Sequence, residues 1–189
     1  MKIAISGAVC TGKTTLGKSL ATRLDLPFIE ENFSALFKAG WSSRDAKEKT
    51  AKALVACLEE KAVLETTAGH FVVDRSALDL MNFWRIRRLP RCCAEYDFYD
   101  LCERAMGRYD FVVLTPWQGV PFVQKSAGAD GPRRTMNPWI QFMGSVHIAG
   151  LAHHFVDPAR IIAIPSRAES PEDRLAFVLT ALGAPGRSP

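Results

Sequence analysis

The sequence lacks paired cysteine spacing, a metal-ligand pattern and any long apolar run. Its five cysteines include no Cys-x-x-Cys pair, and the odd count argues against a disulfide framework and favours a reducing cytoplasm. Its four histidines complete no ligand set, and the pair His153-His154 is expected on a helix surface or in the core. No stretch approaches a membrane span, and the first apolar run breaks at Ser6-Gly7, too early for a signal peptide. A cytoplasmic protein without a membrane partner is therefore expected.

The sequence also has only a small excess of positive over negative charge. The net charge is +4 at pH 7, and the basic residues are spread along the chain apart from the short run Arg85, Arg87, Arg88 and Arg91. This mild surplus suits a protein that binds anionic small molecules, and the scattered charge disfavours a nucleic-acid partner. With no internal repeat, the 189 residues are expected to form a single domain over 1–183, followed by a loose Gly/Pro-rich tail over 184–189.

The most specific motif follows the first apolar run. Residues 7–14, GAVCTGKT, match the phosphate-binding pattern G-x-x-x-x-G-K-[ST] in full. The glycines let backbone N–H groups turn toward a phosphate, Lys13 is expected to reach the β- and γ-phosphates, and the Thr14 hydroxyl is expected to ligate Mg²⁺. The next helix, marked by leucines at four-residue intervals, adds its amino-terminal dipole.

This motif predicts that the protein binds a nucleotide, with ATP and Mg²⁺ as cofactors. No signature for adenine or guanine is visible, so the choice between ATP and GTP stays open. The residues expected to contact the nucleotide are Gly7, Ala8, Val9, Cys10, Thr11, Gly12, Lys13, Thr14 and Thr15.

Apolar runs and helical patterns alternate along the rest of the chain. Strands are predicted at 2–5, 27–30, 70–74, 110–114 and 160–164. Longer helices are predicted at 43–65, 78–86, 93–106, 140–155 and 171–182. Strands separated by helices indicate an α/β protein, specifically a P-loop NTPase fold with a five-stranded parallel sheet, helices on both faces and a lid loop after strand four.

Ligands of such sheets gather at the carboxyl ends of the strands, and the third strand ends in charged residues. Asp74 is expected to hold Mg²⁺ or to take a proton from a substrate hydroxyl. The alternative is that Asp74 caps the following helix. Arg75 can bind a substrate or phosphate, or it can pair with Asp79 at the helix surface.

Glu30 and Glu31 follow the second predicted strand. Either carboxylate can accept a hydrogen bond from a substrate hydroxyl, or one of them can cap a short helix over 33–38. The identity of the general base therefore stays open between Asp74 and Glu31.

The segment 115–137 is too long for a plain connector and is typical of a lid. Arg133 and Arg134 in this segment can close over the transferring phosphoryl group, or they can form a solvated basic turn. Of the four tryptophans, Trp117 is the best candidate for stacking on a base, because it lies in this segment.

Three segments together carry a family resemblance: GAVCTGKTTL, FVVDRSALDLMNFW and YDFVVLTPWQGVPFVQKSAGADGPRRTMN. They resemble the P-loop ATPase/kinase family that includes the ribosylnicotinamide kinase domains of bacterial NAD regulators, and more distantly the deoxynucleoside and thymidylate kinases. The family's Asp-Arg-Ser matches Asp74, Arg75 and Ser76, and its Asp-Gly-x-Arg matches 130–133. Two departures, an extra segment at 125–129 and Glu-Glu-Asn at 30–32, lie where the acceptor would bind.

The resemblance implies a small-molecule kinase that transfers the ATP γ-phosphate to a hydroxyl of a nucleoside or nucleoside-like metabolite. The expected catalytic residues are Lys13, Asp74, Glu31, Arg133 and Arg134. The expected substrate-binding residues are Glu30, Glu31, Arg75 and Asp79, with Thr14 and Asp74 at the metal. The second function class is a nucleotide-binding switch or NTPase that acts through a protein partner, and the oligomeric state stays open.

Overall fold

The structure is a computed structural model that describes residues 1–30, 44–89, 93–117 and 138–183. The strands and α-helices of these residues follow one another in the order β1 (Lys2–Ser6), α1 (Lys13–Leu24), β2 (Phe28–Ile29), α2 (Arg44–Ala68), β3 (Phe71–Asp74), α3 (Ala77–Ile86), α4 (Cys93–Met106), β4 (Phe111–Leu114), α5 (Pro138–Phe155), β5 (Ile161–Ala163) and α6 (Pro171–Ala181). The predicted helix over 33–38 and the predicted tail over 184–189 lie outside the described residues.

The strands form one parallel sheet in the order β2-β3-β1-β4-β5, which confirms the predicted α/β fold. The register places Ile5 of β1 beside Asp74 of β3, and Ser6 beside Leu114 of β4. Because β1 lies at the centre of the sheet, the loop that follows it emerges between the carboxyl ends of β3 and β4. This topology brings the phosphate-binding motif and Asp74 to the same edge.

Apolar side chains cover both faces of the sheet, as a parallel sheet requires. On one face, Leu16 and Leu20 of α1 pack with Val178 of α6 against strand residues. On the other face, a larger cluster joins α2, α3, α4 and α5, and its members include Leu54, Leu78, Phe98 and Ile148. Among the described helices, none is long and apolar enough to cross a membrane.

A buried ionic contact fixes α2 at the amino-terminal edge of the sheet, away from the motif. Glu65 is 1% exposed and accepts hydrogen bonds from Arg108 at 2.9 Å and from the Tyr109 hydroxyl at 2.7 Å. Burial and the adjacent carboxylate raise the pKa of Tyr109 well above its usual value, so this hydroxyl stays a donor. This contact joins α2 to the segment directly before β4 and stabilises the fold.

The predicted helices and strands differ from the observed ones by a few residues at their ends. The difference that matters most is the start of α3, which Ser76 caps. The Ser76 hydroxyl accepts a hydrogen bond from the N–H of Leu78 at 3.0 Å, and the Asp79 carboxylate accepts one from the N–H of Ser76 at 3.2 Å. The alternative in which Asp74 caps this helix is therefore wrong. Asp74 remains in β3, and its side chain is available to the phosphate-binding motif.

Two helical glycines are expected to respond in opposite directions to alanine. A Cβ at Gly17 in α1 would lie 2.5 Å from Cε2 of Phe28, whereas a Cβ at Gly150 in α5 would meet nothing within 4 Å. Gly17→Ala should lower the free energy of unfolding by about 1–3 kcal/mol through overpacking. Gly150→Ala should raise it by about 0.5–1 kcal/mol, because alanine is the better helix former. Urea unfolding checks both, and equal shifts for the two variants would contradict this packing of α1 on β2.

Candidate nucleotide and phosphoryl-transfer site

The phosphate-binding motif forms the turn between β1 and α1. Gly7 and Gly12 adopt φ angles of 154° and 83°, which side-chain-bearing residues rarely adopt. Gly12 is the N-cap of α1 and provides no side chain to cap it. The first N–H groups of α1 therefore donate no hydrogen bond to an N-cap side chain, and an anion can bind to them.

Gly7 is also required by the close approach of β4. A Cβ at this position would lie 2.0 Å from Oγ1 of Thr115, the residue after β4. Thr115 is 5% exposed, and its hydroxyl forms a 2.7 Å hydrogen bond with the Thr11 hydroxyl in the motif. The first residue of the predicted lid segment is thus part of the support of the phosphate loop.

Lys13 lies inside the turn and is 5% exposed. Its ammonium group donates to the carbonyl oxygens of Gly7 and Ala8 at 2.7 and 2.5 Å. It also lies 4.0 Å from a carboxylate oxygen of Asp79. The positive charge expected at the phosphates is therefore held at the centre of the loop.

Thr14, the last residue of the motif, contacts Asp74 at the end of β3. The exposed Thr14 hydroxyl donates to Oδ2 of Asp74 at 2.5 Å, and Asp74 is 2% exposed. Oδ1 of Asp74 is buried and has no hydrogen-bond partner within the part of the chain that the structure describes. A hydroxyl and a carboxylate oxygen without a partner are hard oxygen ligands of the kind Mg²⁺ prefers, so the residues fit this ion.

A buried lysine of α2 donates a hydrogen bond to the backbone at the end of β3. Lys61 of α2 is 7% exposed, and its ammonium group donates to the backbone carbonyl of Asp74 at 3.2 Å. Burial lowers its pKa, and the charges of Glu65, Asp79 and Asp74 oppose this effect. Lys61 therefore fixes the backbone from which the Asp74 carboxylate projects.

Asp79 links the motif to Arg75. Its Oδ1 lies 3.4 Å from both the Gly7 N–H nitrogen and Nη1 of Arg75. Burial raises the pKa of this carboxyl, although Lys13 and Arg75 oppose the rise. The pairing of Arg75 with Asp79 exists, but the carboxylate is 3% exposed and not at the helix surface.

The remaining predicted site residues are placed as follows. Glu30 is exposed and forms a 2.6 Å ion pair with Lys18. Trp117 packs edge-to-face on Phe142, with ring centroids 5.3 Å apart. Glu31, Arg133 and Arg134 lie outside the described residues.

Two buried side chains that contact the loop were not predicted. Gln141 of α5 donates to the Val9 carbonyl at 2.9 Å, and Arg174 of α6 donates to the Thr11 carbonyl at 2.8 Å. Gln141 is a polar residue in a largely apolar helix, which is a weak signal of a buried contact. Nothing in the pattern of α6 marks Arg174.

No cluster of three or more His, Cys, Asp or Glu side chains suited to a metal occurs among the described residues. Among the described residues, Cys10 in the loop is partly exposed, Cys57 and Cys102 are buried, and none of the three forms a disulfide. Burial raises the pKa of the Cys102 thiol, so it is not a nucleophile at neutral pH.

The sheet order and the loop between β1 and α1 define a P-loop protein with a kinase-like α/β fold. A family model described as an AAA domain matches residues 2–138, which is more than half of the chain. This protein therefore belongs to that AAA domain family.

One curated relative is a shikimate kinase from Paracidovorax citrulli (strain AAC00-1), which is 36% identical over 70 residues. The aligned part covers 37% of this chain and 38% of the relative. The match therefore spans less than half of the curated relative's length.

Solved structures share the fold at low sequence identity. Deoxyadenosine kinase from M. mycoides with bound dATP superposes with a TM-score of 0.63 and 14% identity, over 97% of this chain and 100% of that chain. A NadR protein in complex with NR superposes with a TM-score of 0.64 and 14% identity, over 99% of this chain and 52% of that chain. The same type of protein with NAD and AMP-PNP gives a TM-score of 0.61 at 15% identity, over 99% of this chain and 51% of that chain.

Proposed function

We propose that this protein is an ATP-dependent kinase that transfers the γ-phosphoryl group to a hydroxyl of a nucleoside or nucleoside-like metabolite. The observation that carries the proposal is the meeting of Lys13, Thr14 and Asp74 at the ends of β1 and β3. They bring together the ammonium group of a buried lysine, the hydroxyl of an exposed threonine and a buried carboxylate with one oxygen that lacks a partner among the described residues. Phosphoryl transfer depends mainly on positioning and charge stabilisation, which this set supplies.

Each residue has a distinct role in this proposal. The N–H groups of the loop and the ammonium group of Lys13 hold the β- and γ-phosphates of ATP. Thr14 and Asp74 would hold Mg²⁺, which neutralises phosphate charge when bound. The acceptor oxygen forms a bond to the γ-phosphorus, the bond to the β,γ-bridging oxygen breaks, and ADP leaves with that electron pair.

The acceptor side of the proposal rests on charged residues beside the loop. A carboxylate, Asp74 or Glu31, takes the proton of the acceptor hydroxyl. Arg75, held by Asp79, and the carboxylates of Glu30 and Glu31 are proposed to bind the acceptor. Arg133 and Arg134 remain predicted lid residues that stabilise the charge on the transferred group.

The nucleoside class is supported by the fold that this chain shares with a deoxyadenosine kinase and with a NadR protein in complex with NR. The partial match to a shikimate kinase makes shikimate a second acceptor to test. A single domain over 1–183 and a cytoplasmic location are part of the same proposal.

ADP release from Mg²⁺-ATP and Mg²⁺-GTP, with and without acceptors, tests the proposal. The acceptor panel contains deoxyadenosine, deoxycytidine, nicotinamide riboside and shikimate. We expect slow release alone and a rise of at least about tenfold with one nucleoside-like acceptor, because water is not positioned as well as a bound hydroxyl. Stimulation by shikimate alone would contradict the nucleoside class. Acceptor-independent release together with a nucleotide-dependent change in shape or association would instead support the switch.

A further inference from the structure

The phosphate loop is supported from outside by two buried donors that approach from different helices. Gln141 lies in the first turn of α5 and is 4% exposed, and Arg174 lies in α6 and is 2% exposed. Neither side chain belongs to the phosphate-binding motif. Each donates to a carbonyl of that motif, at Val9 and Thr11 respectively.

The carbonyl groups of an anion-binding turn also need hydrogen-bond partners when they are buried. A trans peptide unit is planar, so the carbonyl of one residue and the N–H of the next point in opposite directions. A peptide that turns its N–H group inward therefore turns its carbonyl group outward, and a buried carbonyl needs a hydrogen-bond donor of its own. The donors to these carbonyls decide how well the N–H groups are aimed before the anion arrives.

Several carbonyls of the loop are satisfied within the motif itself. The carbonyls of Gly7 and Ala8 accept from the Lys13 ammonium group, and that of Ala8 also accepts from the Thr11 hydroxyl at 2.9 Å. The Gly12 carbonyl accepts from the N–H of Leu16 at 3.0 Å, within α1. The carbonyls of Val9 and Thr11 instead depend on side chains more than 130 residues away in the sequence.

Arg174 is held at two points. Its Nη1 donates to the Thr11 carbonyl at 2.8 Å, and its Nε donates to the Ala168 carbonyl, in the turn before α6, at 2.9 Å. A planar guanidinium that bonds at two points has little freedom to rotate, whereas a lysine ammonium at the same place can satisfy one carbonyl at a time. Arg174 therefore ties the phosphate loop to the segment between β5 and α6.

We propose that Gln141 and Arg174 are positioning residues that aim the N–H groups of Cys10 and Gly12 at the nucleotide phosphates. Fixing the Val9 carbonyl fixes the Cys10 N–H on the other side of the same peptide, and fixing the Thr11 carbonyl fixes the Gly12 N–H. Neither side chain touches the nucleotide in this role. The inference rests on the proposed binding of a nucleoside triphosphate at this loop.

The test is the dissociation constant for Mg²⁺-ATP, with Mg²⁺-GTP and adenosine titrated in parallel, by calorimetry well below the unfolding temperature. Gln141→Met keeps the length of the side chain and removes its donors. Arg174→Lys keeps the charge and removes the two-point contact. We expect each variant to bind Mg²⁺-ATP about tenfold more weakly, because a misaimed N–H loses a charge-assisted hydrogen bond.

Comparing the affinities for Mg²⁺-ATP and adenosine, in the single variants and in the double variant, separates a positioning role from a general loss of packing. The two side chains act on one loop and one ligand, so their effects need not multiply, and we expect the double variant to bind Mg²⁺-ATP at least as weakly as either single variant. Adenosine has no phosphate, so its affinity should not change in any of the variants. A merely structural role would lower the melting temperature without changing the ratio of ATP to adenosine affinity.

Tyr109→Phe is the matched control, since it removes a buried hydrogen bond to Glu65 at the opposite edge of the sheet. It should lower the melting temperature and leave Mg²⁺-ATP affinity at the wild-type value. Wild-type affinity for Mg²⁺-ATP in both Gln141→Met and Arg174→Lys would overturn this inference alone. Wild-type protein that binds neither Mg²⁺-ATP nor Mg²⁺-GTP would overturn the proposed function, and this inference with it.

Discussion

Lys13→Met is expected to lower the rate of phosphoryl transfer at saturating acceptor by about 10²–10³-fold. Methionine fills a similar volume but removes the ammonium group that lies at the centre of the phosphate loop. That group is 5% exposed, so its charge acts on the phosphates with little screening by water. The measurement is the initial rate of ADP formation with the best acceptor.

The same substitution also releases the Gly7 and Ala8 carbonyls from the Lys13 ammonium group. Asp79 keeps its contact with Arg75, and burial already raises the pKa of Asp79, so protonation limits the cost of the lost partner. The protein should therefore remain folded. Lys52→Met, at an exposed position on α2, is the matched control and should leave the rate unchanged. Electrostatic stabilisation of the phosphates predicts a loss of rate much larger than about threefold. A Lys13→Met rate within about threefold of the wild-type rate would therefore contradict this role of the Lys13 charge.

Asp74→Asn is expected to lower the same rate by about 10³-fold and to raise the Mg²⁺ concentration needed for half-maximal activity. The amide keeps the shape of the side chain and can still accept the hydrogen bond from Thr14. It loses the negative charge that would hold the ion and that could accept a proton from the acceptor hydroxyl. A Mg²⁺ titration of the rate at saturating ATP measures both effects.

Asp110→Asn is the control for Asp74→Asn. The Asp110 carboxylate accepts from the N–H of Lys2 at the amino-terminal edge of the sheet, and its side chain is 53% exposed. Its loss should change neither the rate nor the Mg²⁺ requirement. If Asp74→Asn lowered the rate with an unchanged Mg²⁺ requirement, Asp74 would act as a proton acceptor and not as a metal ligand.

Much of the fold follows from local patterns in the sequence. Apolar runs of strand length alternate with helical periodicity, and this pattern predicts every strand of the described sheet to within a few residues. The meeting of Thr14 with Asp74 also follows, because Asp74 ends β3, the phosphate-binding motif that contains Thr14 follows β1, and the carboxyl ends of these neighbouring strands lie side by side. These features depend on neighbours in the sequence or on the general rule for parallel sheets.

The contacts that local patterns miss depend on register and on distant helices. Thr115 reaches Gly7 only because Ser6 pairs with Leu114, and the register of β1 and β4 is not visible in either strand alone. Gln141 and Arg174 reach the loop because α5 and α6 pack beside it, which periodicity does not specify. The burial of Asp79 follows from its place in the capping box of α3.

The most direct test of the kinase account is the stoichiometry of transfer from ATP labelled at the γ-phosphate. The labelled products are separated by chromatography after incubation with the acceptor that most stimulates ADP release. The account predicts one labelled, phosphorylated acceptor for each ADP formed, and loss of both products with Lys13→Met. Label recovered only as inorganic phosphate, at any acceptor concentration, would contradict it and identify the protein as an NTPase.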